Sequence, residues 1–114
     1  MIKLLVCGGR DYTDVAFMNM TLDALMFDHE IAIVIEGGYR GADTFARAWA
    51  NSRGIHCATI PAQWRRLGPR AGPARNSAML ALSPDIVVAF PGGTGTADMV
   101  TKAEAAGITT MKMW

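Results

Sequence analysis

Short apolar runs alternate with helix-like segments along the whole chain, and that alternation limits the possible folds more than any other feature. The first run, Ile2 to Cys7, stops at Gly8 and Gly9. Asp14 to Asp28 then spaces Val15, Met18, Leu22, Leu25 and Met26 as one face of a helix, with Thr13 or Asp14 placed to cap it. Ile31 to Ile35 is a second strand, too uniformly apolar to be half exposed, as expected inside a parallel sheet. A helix from Ala42 to Arg53 turns Phe45, Ala46 and Trp49 inward and ends at Gly54. Ile55 to Ile60 makes the third strand, stopped by Pro61. Residues 61–72, punctuated by Pro61, Gly68, Pro69 and Gly72, read as a loop, and Pro73 opens a helix to about Leu82. Asp85 to Phe90 is strand four, and Pro91 to Gly95 a turn. The last helix buries Val100 and Ala103 and closes at Gly107, before a fifth strand at Ile108 to Met113.

Strict alternation of β and α elements predicts one α/β domain over residues 1–114, a five-stranded parallel sheet between helices. Right-handed crossovers favour the strand order 3-2-1-4-5. That order reverses direction between strands one and four and opens a crevice at their carboxyl ends. No helix follows strand five, so Met111, Met113 and Trp114 are expected either in a homo-oligomer interface or packed on the last helix.

Composition removes several classes. A hydrophobic share of 51% excludes disorder, and the 12 glycines follow no period, which excludes collagen. No apolar run approaches the roughly 20 residues of a membrane span. The apolar start is brief and reads as a strand rather than a signal peptide, so a cytoplasmic protein with no membrane partner is expected. A net charge of +1 gives no general attraction to polyanions, and nucleic acid is not an expected partner. Cys7 and Cys57 sit in apolar stretches and read as buried thiols. His29 and His56 lack partners at ligand spacing, so no metal site is expected, and no cofactor.

The glycines gather where strands give way to helices. Eight of the 12 fall in three turns: Gly8 and Gly9; Gly37, Gly38 and Gly41; Gly92, Gly93 and Gly95. The predicted fold brings all three turns to one rim. Glycine there permits positive φ and close approach, and the amides at the following helix ends suit phosphate. No Walker loop follows, nor a GxGxxG after strand one. Thr94 and Thr96 belong to the third turn.

Arginines cluster at the same rim. Arg10 and Arg40 lie in the turns, with Arg65, Arg66, Arg70 and Arg75 between strand three and the next helix. Arginine grips phosphate through a bidentate fork. Arg75 is placed in a first helical turn, where a cation opposes the macrodipole unless an anion binds nearby. Trp64 is placed to stack on a base or to cover the core. Asp11, Asp43 and Asp98 are the acids at the rim, fitted to capping or to ribose hydroxyls.

The motifs CGGRDYTD, GGYRGAD, GPARNSAML and FPGGTGTADMV, in that order across nearly the whole chain, resemble the YspA-like, cpYpsA-related branch of the SLOG superfamily. These are small Rossmann-like proteins, often from bacteria and phages. The superfamily includes the LOG phosphoribohydrolases and the DNA-processing protein DprA. The resemblance implies binding of a nucleotide or nucleotide-derived small molecule, ADP-ribose-like or a nucleoside phosphate. LOG enzymes carry an arginine followed four residues later by methionine, matched by Arg75 and Met79. Their PGGxGTxxE is matched by Pro91, Gly92, Gly93, Gly95 and Thr96, but the catalytic glutamate falls on Met99. Methionine cannot act as acid or base. The ligand-binding set expected is therefore Gly8, Gly9, Arg10, Asp11, Gly37, Gly38, Gly41, Asp43, Arg75, Gly92, Gly93, Thr94, Gly95, Thr96 and Asp98. Two alternatives stand beside binding or sensing. One is a LOG-type nucleosidase in which Asp11, Asp43 or Asp98 replaces the glutamate. The other is DprA-type single-strand binding through Trp64 and the loop arginines.

Overall fold

The structure, a computed structural model, describes residues 1–114. Its elements run β1 (Ile2–Cys7), α1 (Val15–Asp28), β2 (Ile31–Glu36), α2 (Ala42–Ser52), β3 (His56–Thr59) and α3 (Trp64–Leu67). A 3₁₀ turn (Gly68–Arg70) leads into α4 (Ala71–Leu80), followed by β4 (Ile86–Ala89), α5 (Thr94–Ala105) and β5 (Thr109–Lys112). All strand pairs are parallel, in the order β3-β2-β1-β4-β5. The expected architecture and strand order are those observed. β1 is central: Leu5 lies between Ile35 on β2 and Val87 on β4.

Because successive side chains of a strand point to opposite faces, the sheet divides the core in two. Leu4 and Val6 join Met18, Leu22, Trp49, Val88 and Phe90 on the side of α1 and α2. Leu5 and Cys7 join Ile35, Met79, Val87, Met99 and Ala103 on the side of α4 and α5. Burial of both faces explains why β4 and Leu4–Cys7 of β1 read as continuous apolar runs. Asp14 caps α1 by accepting the Phe17 N–H at 3.1 Å.

Four expectations need correction. Met26 lies one residue past Leu25, about 100° around the helix, and is exposed. The supposed loop 61–72 contains α3, the 3₁₀ turn and the start of α4. Pro69 and Pro73 stand in first turns, where no intrahelical N–H is required, so they do not break these helices. The second strand runs one residue past the expected Ile35, to Glu36, which is fully buried. Met111 and Met113 are half-buried against the cluster on the α1 and α2 side rather than on α5, while Trp114 is 67% exposed. No helix is long and apolar enough to cross a membrane.

Candidate functional site

Gly9 is the knot that joins the three glycine turns. Its N–H donates to the Pro91 carbonyl at 2.9 Å, and its own carbonyl accepts from Tyr12 N–H at 3.2 Å and Ala42 N–H at 3.1 Å. The approach is close enough that a Cβ on Gly9 would stand 2.9 Å from the Pro91 oxygen. The turn after β1 is thereby tied to those after β2 and β4.

Inside this rim, at the carboxyl ends of β1 and β4, opens a crevice of about 470 Å³. The first turn contributes Gly8, Gly9, Arg10 and Asp11 to its wall, and the second Tyr39 and Asp43. Trp64, Arg75 and Asn76 line it from α3 and α4, and Gly93, Thr94, Gly95, Thr96 and Asp98 from the start of α5. Four of the expected residues do not line it. Gly37 lies against Arg75 and Asp43, Gly38 against Thr59, and Gly41 against the Gly9–Arg10 backbone. Gly92 sits under the Thr96 hydroxyl and faces a shallower depression beside Pro91 and Asp14. These glycines shape the turns.

At one end of the crevice α5 begins. Gly93, its N-cap, offers no side chain to the first amides of Thr94, Gly95 and Thr96, which have no intrahelical acceptor. Neither Gly93 nor Gly95 has any atom within 4 Å of where a Cβ would stand, so the helix end is open. Amides and helix dipole together favour an anion there. Arg75 lines the same crevice from α4. Because α4 starts at Ala71, Arg75 belongs to the second turn, and its conflict with the macrodipole is weaker than the sequence suggested. Its Nη1 donates to the Gly37 carbonyl at 2.7 Å and its Nε to Asn76 Oδ1 at 3.1 Å. Arg75 takes part in none of the four ion pairs, nor does Arg10.

At the other end lies an aromatic surface. Tyr39 and Trp64 meet edge to face at 6.1 Å, and the Arg10 guanidinium stacks 4.0 Å from the Tyr39 ring centre. The Arg75 guanidinium lies 5.6 Å from the same ring. Sequence reasoning missed Tyr39; its position between Gly38 and Arg40 inside a glycine turn was the available signal.

The acids play different parts. Asp43 is 7% exposed and accepts the Tyr39 N–H at 3.2 Å. Burial pushes its carboxyl up to about 6, against the pull of that N–H and of Arg75, with Glu36 adding to the rise. Asp98 accepts from Asn76 Nδ2 and pairs with Lys102, each at 3.0 Å. Asp11 is exposed and pairs with Arg40 at 3.1 Å. Glu36, also missed, braces the second turn: its carboxylate accepts the Gly38 N–H at 2.6 Å and the Thr59 hydroxyl. Met99 is fully buried in the core and presents nothing to the crevice. Burial also pushes the Cys7 thiol up to about 12 and the Cys57 thiol up to about 11, the latter with help from Glu36. Arg65, Arg66 and Arg70 are exposed and lie outside the crevice wall.

The model of the YAcAr family, the YspA, cpYpsA-related SLOG family, matches residues 2–67. The chain belongs to the YAcAr family. The matched YAcAr segment carries β1 through α3, one wall of the crevice; Arg75 and the start of α5 lie beyond it. The chain is 32% identical over 116 residues to the Gene 61 protein of Mycobacterium phage D29, covering 95% of this chain and 93% of that one. Its fold is also similar to the X-ray structure of DNA processing protein A (DprA) from Streptococcus pneumoniae, with a TM-score of 0.78 at 16% identity. That likeness covers 98% of this chain and 50% of DprA, so the YAcAr chain spans half of that neighbour's length.

Proposed function

We propose that the crevice binds a nucleotide or nucleotide-derived small molecule, of the ADP-ribose or nucleoside-phosphate type. One observation carries this reading: an open helix end, Arg75 and a stacking surface of Tyr39 and Trp64 line one crevice. The helix end suits phosphate and the stacking surface the flat face of a base. Calorimetric titration with AMP, ADP-ribose and cyclic nucleotides tests it, with phosphate-free nucleoside as the control. Binding of at least one nucleotide and not of the nucleoside is expected. Hydrogen bonds from a charged donor contribute about 1.5–3 kcal/mol, so Arg75→Ala should weaken that binding by about 10- to 100-fold. No heat and no thermal shift with any of them removes the reading.

A second reading rests on Asp43. A buried carboxyl held at about 6 inside the crevice has the acidity of a general acid or base, which LOG-type release of a free base from a nucleoside monophosphate requires. Chromatography of the products is the test: base released by the wild type and lost in Asp43→Asn supports it, and intact nucleotides throughout remove it. A short DNA strand is the competing occupant, since three exposed arginines flank the crevice and the structural neighbour is a DNA processing protein. With a net charge of +1 the expected result is no retardation of a single-stranded oligonucleotide, even at low salt.

A further inference from the structure

α1 carries apolar side chains on two opposite sides, with Asn19, Asp23 and Asp28 on the flanks between them, and only the inward side packs on the core. Met18, Thr21, Leu22 and Leu25 face the core. On the opposite side Ala16, Met20, Ala24 and Phe27 are exposed, Met20 by 63% and Phe27 by 91%. Their spacing of four, four and three residues aligns them in one stripe along the helix. A helix apolar on both sides is ordinarily covered on both.

The order of side chains in the stripe says what fits it. From the N-terminus it reads small, large, small, large. Laid parallel on a second α1, bulk meets bulk. Laid antiparallel about a two-fold axis, Ala16 faces Phe27 of the copy and Met20 faces Ala24, so every large side chain meets a small one, and the helix dipoles oppose. Self-matching under a two-fold axis is the defining property of an isologous interface. The charges point the same way. Asp23, the acid nearest the stripe, is already engaged by Arg53 at 2.8 Å and by the Trp49 N–H at 2.9 Å. α1 contains no lysine or arginine, which argues against an anionic lipid surface.

We propose that α1 is the contact of a two-fold symmetric dimer of this chain, with the two copies of the helix antiparallel. The proposal is independent of what the crevice binds. A large apolar side chain covers about 150–250 Å², so the stripe supplies a contact near or below the roughly 1,200 Å² lower bound of specific interfaces. The dimer is therefore weak, with dissociation in the micromolar range.

Sedimentation equilibrium over about 5 to 200 μM tests the proposal, a range set by the expected affinity. The weight-average mass should climb from the chain's 12.2 kDa toward twice that value. The double substitution Met20→Glu, Phe27→Glu should hold the mass at the monomer while leaving the circular dichroism and melting temperature of the wild type, because both side chains are exposed. Orientation is read by cysteine cross-linking at pH 8, where the native thiols, raised to about 12 and about 11, stay protonated and slow. A mixture of Met20→Cys with Ala24→Cys should form disulfide-linked dimers faster than either variant alone. A monomer at every concentration, a dimer that survives the glutamates, or faster linkage of each variant to itself overturns the proposal.

Discussion

Gly41→Ala lowers the melting temperature by about 10–20 °C, the largest loss expected from any single methyl group in this chain. Gly41 has φ +76° and ψ −129°, a combination that L-residues with a Cβ avoid at a cost of about 1–3 kcal/mol. The added carbon would also stand 2.5 Å from the Arg10 carbonyl oxygen and 2.7 Å from its carbon. These are backbone atoms of the first turn, which cannot move without pulling Gly9 from Pro91 and Ala42. Strain and lost hydrogen bonds together come to about 3 kcal/mol. Gly95→Ala is the control: it lies in a helix with open space around the new carbon, so stability should hold or rise by up to about 1 kcal/mol. Thermal melts of both variants check this. Equal melting temperatures would show that the rim tolerates displacement and that the knot at Gly9 is unimportant to the fold.

That contrast also shows what the glycine pattern did and did not reveal. The three turns were legible because a parallel α/β chain must place them at one edge, and Gly9 does tie them together. Their glycines were read as one class facing a ligand, yet only some line the crevice, since no pattern distinguishes a glycine pressed on backbone from one left open. The strands and the order of the sheet were legible because β1, β2 and β4 are buried on both faces. α3 was not, because a four-residue helix has no periodicity to read and its neighbouring prolines suggested a loop. Glu36 was lost for a different reason. A lone carboxylate at the end of an apolar run looks like the start of a turn, and its burial depends on Thr59 and Cys57, which only the pairing of β2 with β3 brings alongside. Tyr39 stands in a glycine turn, but its part in the site follows from Arg10 and Trp64 closing on its ring, which sequence spacing does not encode.

Asp43→Asn is expected to stabilise the protein by up to about 3 kcal/mol at pH 8 and to change little at pH 4. The sign follows from the direction of the shift. Burial raises the folded-state value from 3.8 to about 6, so between those two the folded protein holds a proton that the unfolded chain has already released. The contribution of this group to stability is therefore fully present below about pH 4, falls as pH rises to about 6, and stays at its low value above that. Asparagine carries no charge to bury and still offers an oxygen to the Tyr39 N–H. Asp23, held low mainly by its hydrogen bonds to Arg53 and Trp49, gains rather than loses stability as pH rises through its own range. The quantity to measure is thus the difference between wild type and variant, by urea denaturation at pH 4, 5, 6 and 8. Parallel curves would refute a buried charge at Asp43. The same variant separates the two readings of the crevice. If the site only binds, removing a negative charge from the crevice wall should tighten nucleotide binding at pH 7.5 and flatten its pH dependence, because protonation of Asp43 no longer governs it. If the site hydrolyses, the wild type releases free base while the variant binds as well or better and releases none, since an amide cannot deliver or accept the proton that breaking the glycosidic bond requires.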